Sequence, residues 1–544
     1  MIKYTPASQR SLSLFHTPFE QSLSPNNRWV VMAAQTPWDD MAKIFYTTMS
    51  ADEGRGSIDL RVVLGALLVK HIEGISDEDT IVYIQENIYA QYFVGLSSFH
   101  VEPVFSPTLF VEIRKRLGKE GSQLLNETVI SQARKLKVIQ HRAKPRKQAG
   151  YEKDEGRNDD GGGQAKATSR KDKEEATAPK RPKENRNRGT LKLDATVAPQ
   201  HIGYPTDTRL LHEGRLYSEE LIDKLYSGCS RLWAKKPRTY RRNAQKEYLS
   251  FSRKRKPKKK DIKKARGKQL RYLRRNLKHI NMMLDDLGKA GYGANWKHRD
   301  WQRLWVLQEL YRQQDIMHSD GRRRIDNRIV NIAQPYVRPI QRGKAGKATE
   351  FGAKLNASET EGFLRADYMS FDNFNEGIQL KAQVEAYKAF YGYYPELVLV
   401  DKIYLNRENR NYLDDNDIGH SGHPLGRPPK MSAAEKQKRK KEQNKRSEIE
   451  GKFGQAKSKY GLDDIKTRRM DTSYATINLI FLALNLIKLG KTTFLSFFST
   501  YRRLWRCLYN SITKINPIIR RVAIWPSAET SCSLANQGML ASTF

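Results

Sequence analysis

The stretch Arg446-Ser-Glu-Ile-Glu-Gly-Lys-Phe-Gly-Gln-Ala-Lys-Ser-Lys-Tyr-Gly-Leu462 sets one acid between two cations. Wound as a helix, it carries Arg446, Glu450 and Lys457 on one face. At about 100° per residue, Arg446 lies roughly 40° and Lys457 roughly 20° to the same side of Glu450. A carboxylate flanked by two cations suits a metal ligand with phosphate-holding neighbours. The adjoining stripe, Ile449, Phe453, Ala456 and Tyr460, is apolar, so the helix packs with Glu450 at the rim of its buried face. Glu448 points roughly 160° away from Glu450 and is expected in solvent. The plainer alternative is an amphipathic helix in which Arg446 and Glu450 merely pair at i, i+4.

Two further acids sit where strands would end or expose them. Leu191-Lys-Leu-Asp-Ala-Thr-Val197 alternates as a strand does and carries Asp194. Glu396-Leu-Val-Leu-Val-Asp401 is a short apolar run of the buried-strand kind, with Asp401 at its carboxyl end. If these strands are neighbours, the two aspartates meet at the sheet edge where ligands gather, and the packed helix brings Glu450 to them. Three carboxylates without a nearby His or Cys cluster favour a hard ion, Mg²⁺ or Mn²⁺. Two such ions would serve an in-line phosphodiester displacement. His201, His212, His420 and His423 lack ligand spacing and are expected on the surface or in loops.

Around these acids the chain divides by composition. Its 544 residues imply more than one domain, and 98 Lys and Arg against 60 Asp and Glu leave a net charge of +38. A field of that sign favours a polyanion, with nucleic acid the first candidate. The three cysteines, Cys229, Cys507 and Cys532, show no metal-type spacing and read as reduced thiols. The start of the chain, Met-Ile-Lys-Tyr-Thr-Pro, has no signal-peptide core. The apolar run from Tyr474 to Leu489 carries Asn478 and Asn485 and suits a buried helix better than a bilayer span.

Residues 1–140 read as an all-α domain. Ile58 to Lys70 has helical apolar spacing, Ser76-Asp-Glu-Asp caps a helix through Ile81, Ile84 and Ile88, and a third helix follows Pro107. Residues 141–188 are a charged, Gly-containing stretch expected to be a disordered linker. From 189 to 500 the order is strand, strand, strand, helix, strand, helix, loop, helix, interrupted by a basic helical insertion at 217–335. Between Lys235 and Lys278 roughly twenty Lys and Arg face two acids, interleaved with Tyr240, Tyr248, Phe251 and Tyr272. Arg253, Lys254, Arg255, Lys258, Lys259 and Lys260 are the expected DNA-contacting residues there, with a polyanion-binding tether as the competing reading. The 501–544 tail carries no readable motif.

In this order the motifs resemble those of DDE-type insertion-sequence transposases, most closely the insertion-sequence-five (InsH-like) group. Leu193-Asp194-Ala-Thr-Val-Ala-Pro resembles the first-acid motif, with Tyr204-Pro-Thr-Asp207 after it. Glu350-Phe-Gly-Ala-Lys354 resembles the second-strand signature, and Asp401-Lys-Ile-Tyr404 the second-acid motif. Arg446-x3-Glu450-x6-Lys457, with Phe453-Gly454 and Tyr460-Gly-Leu462, resembles the third-acid helix, and Ser76 to Phe93 the N-terminal domain. Gln443 stands where the broader signature has tyrosine.

The resemblance implies an α/β, RNase H-like mixed-sheet catalytic core, with Asp194, Asp401 and Glu450 as catalytic metal ligands for two Mg²⁺ or Mn²⁺ ions. It implies that Arg446, Lys457 and Lys402 touch DNA. The expected activity is binding of terminal inverted repeats, cleavage at the element ends and joining of the 3′-hydroxyls to target DNA. The expected partners are double-stranded DNA and a second copy of the chain, without a membrane, in a cytoplasmic, nucleoid-associated setting. A structure-specific nuclease on the same fold and a catalytically silent DNA-binding derivative are the alternatives.

Overall fold

In the long strand β1 (Thr190–Pro199), Leu191, Leu193, Val197 and Ala198 are buried while Asp194 is only half-buried. A computed structural model describes residues 23–46, 58–141, 187–344, 347–422 and 432–515. Nearly all of the 141–188 stretch, the Gly422–Pro429 loop beyond its first residue, His423, and the tail beyond 515 lie outside them.

β1 runs antiparallel to β3 (Lys347–Thr360) and parallel to β5 (Leu397–Leu399), and β5 continues parallel to the short β6 (Gly419–His420). The other edge of β3 pairs with β2 (Pro339–Lys344) and then with β4 (Phe363–Ser370), both antiparallel. The result is one six-stranded mixed sheet in the order β2-β3-β1-β5-β6, with β4 joined to β3. The sequence reading reached β1, β3, β4 and β5; β2 and β6 are too short or too polar to stand out.

The N-terminal helices are α1 (Arg28–Gln35), α2 (Trp38–Tyr46), α3 (Leu60–Glu73), α4 (Asp77–Glu86), α5 (Ile88–Val94) and α6 (Leu109–Lys135). α3 is apolar on nearly every side and is buried on nearly every side, the lot of a helix with no solvent face. Asp59 caps its start, accepting from the Arg61 amide at 2.8 Å, and Gly74 ends it with φ 71°. Ser76 accepts from the Asp79 amide at 3.0 Å and starts α4. Ile88 belongs to the next helix and is exposed, because Asn87 ends α4 and caps α5 through the Tyr89 and Ala90 amides.

The last described helix, α14 (Met470–Ile515), lies along α6 and β4. Two asparagines within its apolar run secure it. Asn478 donates to the Lys119 carbonyl and to Ser122 Oγ, and Asn485 donates to Asn126 Oδ1 and the Leu364 carbonyl. Buried amides must find partners, so these bonds fix the register of α14 on its neighbours. Among the described residues one helical segment, Met470–Thr493, is long and apolar enough to cross a membrane, and 83% of its most apolar window is buried inside the protein. One continuous cluster joins the N-terminal helices to Leu193, Val398 and Leu479, Leu482 and Leu486 of α14.

Between β1 and β2 the chain leaves the sheet as α7 (Asp207–Gly228), α8 (Arg241–Ser252), α9 (Lys259–Lys289) and α10 (His298–Ser319). This unit has a hydrophobic cluster of its own, with Leu211, Leu273, Ile280 and Leu307 at its centre. It begins at Asp207, earlier than its charge alone indicates. The Asp207 carboxylate gathers Arg266, Gln314 and Arg328 at 3.3, 3.1 and 2.6 Å, closing the helical unit onto its own start. His212, expected on the surface, is buried in this unit and stacks on Tyr248 with ring centroids 3.7 Å apart. The reason is its place on the inner face of α7, where the imidazole also meets Arg215 at 3.2 Å.

Candidate active site

The register of β1 and β5 pairs Leu191 with Val398 and Lys192 with Leu399. Carried two residues further, it sets Asp401 level with Asp194. Asp401 follows the strand, is 58% exposed, and precedes a single 3-10 turn, Lys402–Tyr404. Lys402 itself is exposed beside it.

After α11 (Leu380–Tyr391) and α12 (Arg407–Asp415), the third acid arrives on helix α13 (Ala433–Tyr460), which packs across β1 and β5. Ile449, Phe453 and Ala456 are its buried residues, so the apolar stripe read from the sequence is the packing face. Glu450 stands at the rim, 51% exposed. Arg446 lies between the acids: Nη2 is 3.1 Å from Glu450 Oε1 and Nη1 is 3.3 Å from Asp401 Oδ1. The i, i+4 pair and a long-range pair therefore coexist on one guanidinium. Lys457 is half-buried on the same helix, roughly 10 Å beyond Glu450 at 1.5 Å per residue.

Asp194 accepts from the Ala195 amide at 2.9 Å. Burial pushes its carboxyl up to about 6, and the negative charges of Glu450 and Asp401 push the same way, against the pull of the Ala195 amide and Arg446. The three acids thus share one electrostatic neighbourhood. Among the described residues, no three His, Cys, Asp or Glu side chains form a ready cluster around one point. The donor set fits a hard divalent cation: three carboxylates, no imidazole or thiolate, and mutual repulsion that a cation would relieve. Arg446 meets part of that need, with Nη1 buried and without a hydrogen bond.

Several residues that support the acids escaped the sequence reading. Tyr404, at the end of the 3-10 turn after Asp401, is fully buried and donates to Asn356 Oδ1 at 3.0 Å. Burial, aided by Glu376 and then Asp194, holds its phenol protonated far above the usual tyrosine range. Asn356 is paired opposite Ala195 on β3 and donates to the Glu376 carbonyl. Lys192 sits two residues before Asp194, on the same face of β1, and is buried between Glu359 and Glu448. Glu448 is exposed as expected, but it is held by Lys192 rather than free in solvent. The period of two on β1 was the available signal: a lysine in an otherwise buried strand position needs an acid partner.

The expected DNA-contacting residues of the insertion, Arg253, Lys254, Arg255, Lys258, Lys259 and Lys260, are all exposed, at the turn between α8 and α9 and the start of α9. Lys254 pairs with Asp261 at 3.3 Å. Tyr240 lies under Arg275, whose guanidinium carbon is 4.6 Å from the ring centroid. The remaining expected histidines are separate: His201 is exposed and pairs with Asp464 at 2.8 Å, and His420 is half-buried on β6.

Residues 398–487, the span that holds Asp401, Arg446 and Glu450, match the family described as a transposase DDE domain, and residues 17–116 match a transposase domain (DUF772). Both matches support a place for the chain among the DDE-type insertion-sequence transposases. Neither match singles out the insertion-sequence-five group within them. The chain is also similar to an uncharacterized protein, ORF8 in the nfe locus of Rhizobium meliloti, at 29% identity over 128 residues. That likeness covers 23% of the chain, which spans 59% of the length of the relative. No solved structure matches it.

Proposed function

We propose that the transposase binds the terminal inverted repeats of its element, cleaves a phosphodiester at each end and joins the freed 3′-hydroxyl to target DNA. The observation that carries this reading is Arg446 bridging Asp401 and Glu450, with Asp194 on the strand beside that of Asp401. The strand order, with three antiparallel pairings about β3 and parallel pairings from β1 through β5 to β6, supports an RNase H-like reading of the core. Residues 1–140 are read as a DNA-binding region, 141–188 as a linker, and the helical unit within 189–500 as an added DNA-binding element.

In this reading Asp194, Asp401 and Glu450 hold two Mg²⁺ or Mn²⁺ ions. When bound, such ions supply Lewis-acid stabilisation of the attacking and leaving oxygens. The residues of the chain do the rest. Tyr404 and Asn356 anchor the turn that follows Asp401, and Ile449 and Phe453 fix the height of Glu450 above the sheet. Arg446, which bridges the acids in the free protein, turns its guanidinium to a phosphate oxygen when DNA enters. Lys402 and Lys457 add cations at either side. Water opens the phosphodiester at the end, the 3′-oxygen leaving as the hydroxyl, and that hydroxyl then attacks a target phosphorus and displaces a target 3′-oxygen. No covalent enzyme intermediate is required. Pairing of two ends by two copies, in a cytoplasmic setting, completes the reading.

The test is an assay with radiolabelled duplexes carrying the repeats that flank the gene, in Mg²⁺. Cleavage and joined products support the reading. Cleavage without joining leaves a nuclease, and binding without either leaves a silent DNA-binding protein.

A further inference from the structure

Helix α13 is 28 residues long, yet its first buried residue is Ile449. In the half before it Arg439, Glu442 and Arg446 are half-buried and the other residues are exposed, so this half buries no apolar side chain. A helix that is polar on all sides has no packed face to hold it in place, so something other than burial must account for it. Its start is secured locally: Ser432 and Glu435 form a reciprocal cap, with the Ser432 amide donating to Glu435 at 2.9 Å and the Glu435 amide to Ser432 Oγ at 3.3 Å. Its end is held by the packed half of the same helix. It therefore carries the helix outward from the acid site as a polar arm.

The arm is basic. From Ala433 to Arg446 it carries Lys436, Lys438, Arg439, Lys440, Lys441, Lys445 and Arg446 against Glu435 and Glu442. The cations fall on two flanks. At about 100° per residue, Lys436, Arg439 and Arg446 lie within roughly 40° of Glu450, whereas Lys438, Lys441 and Lys445 lie roughly 120–180° away. The first flank extends the stripe of Glu450 outward. Lys436 lies roughly 21 Å from Glu450 along the axis, the length of about six base pairs.

The geometry points to a DNA track: the flank of the arm carrying Lys436 and Arg439 holds the phosphates of the duplex that runs outward from the bond cut at Asp194, Asp401 and Glu450. This deepens the proposed function and rests on its choice of substrate. Charge complementarity and continuity with the acid face select duplex DNA, and the reach sets its length. The arm would seat one side of the cut site over about six base pairs, contacting phosphates and not bases.

The test compares two pairs of substitutions that remove the same charge from opposite flanks: Lys436→Gln with Arg439→Gln, and Lys441→Gln with Lys445→Gln. The probes are fluorescent duplexes of the terminal repeat, ending either two or about ten base pairs beyond the cut site. Binding is read by anisotropy over a salt series, with circular dichroism to check helix content. The first pair should weaken the long probe about tenfold, flatten its log–log salt slope by about two, and leave the short probe within about twofold. The second pair should leave both probes within about threefold of the parent. Equal weakening by both pairs, or no weakening of the long probe by the first, would overturn the track. If the protein cuts no DNA but the long and short probes still separate as stated, the track stands and the cleavage reading falls.

Discussion

Arg446 joins Asp401 to Glu450, with one terminal nitrogen 3.3 Å from the aspartate and the other 3.1 Å from the glutamate. One guanidinium thereby ties helix α13 to the loop after β5. The first expectation concerns the acids it joins. Asp194→Asn, Asp401→Asn and Glu450→Gln should each cut cleavage and joining by at least about a hundredfold, while binding of end DNA stays within about threefold, because affinity comes from phosphate contacts elsewhere. Glu448→Gln removes an acid held by Lys192 instead and should keep cleavage within about threefold, costing about 1 kcal/mol or less in stability. A dead Glu448→Gln beside an active Glu450→Gln would refute the assignment.

Millimolar Mg²⁺ or Mn²⁺ should raise the melting temperature, since a cation bound by the folded acids stabilises the fold. Asp401→Asn should blunt the rise. Because Arg446 already neutralises part of the site, Arg446→Gln should lower the metal concentration at half-maximal shift. Cleavage that persists in EDTA would end the metal mechanism, whatever the melting curves.

The exposed cations at the turn between α8 and α9 should act through phosphates. Changing Arg253, Lys254, Arg255, Lys258, Lys259 and Lys260 together to Gln should weaken specific and random duplexes alike and flatten the salt slope by a few units, near one per contact. An unchanged slope would show that this turn stays clear of DNA.

Lys192 should matter to folding more than to chemistry. Its ammonium lies 2.5 Å from Glu359, which is fully buried and also accepts from the Gly362 amide at the β3–β4 turn. Lys192→Met leaves that carboxylate without its cation and should cost about 3 kcal/mol, read by urea unfolding. The double change with Glu359→Gln should recover much of the loss.

Acid should destabilise the N-terminal helices through His71. Burial holds its imidazole down to about 3, and the nearby Lys70 and Arg114 push the same way. The unfolded chain takes up the proton near 6.5, whereas the folded one resists until about 3. Acid therefore favours unfolding, and this histidine's share of stability is lost as pH falls below about 6.5. Between pH 7 and 5 the loss should be about 1–2 kcal/mol. In His71→Phe the unfolding free energy should change less over that interval; an identical slope would contradict the buried neutral imidazole.

The faces of α13 and the strand around Asp194 were legible in the sequence because they rest on local periodicities. The period of 3.6 put Arg446, Glu450 and the Ile449–Phe453–Ala456 stripe on their faces, and the alternation around Asp194 marked its strand. The ends of short elements were less so. Asn87 both closes one helix and opens the next, so Ile88 moved from one to the other, and β2 and β6 carry too few apolar residues to signal a strand. Periodicity says which side of an element a residue occupies, and nothing about which element lies opposite. Tertiary packing alone decided that β5 lies beside β1 and levels Asp401 with Asp194. It decided too that Lys192 captures Glu448, that His212 turns inward against Tyr248, and that Tyr404 reaches Asn356. These are contacts between residues far apart in the chain, set by sheet register and by the need of each buried polar group for a partner.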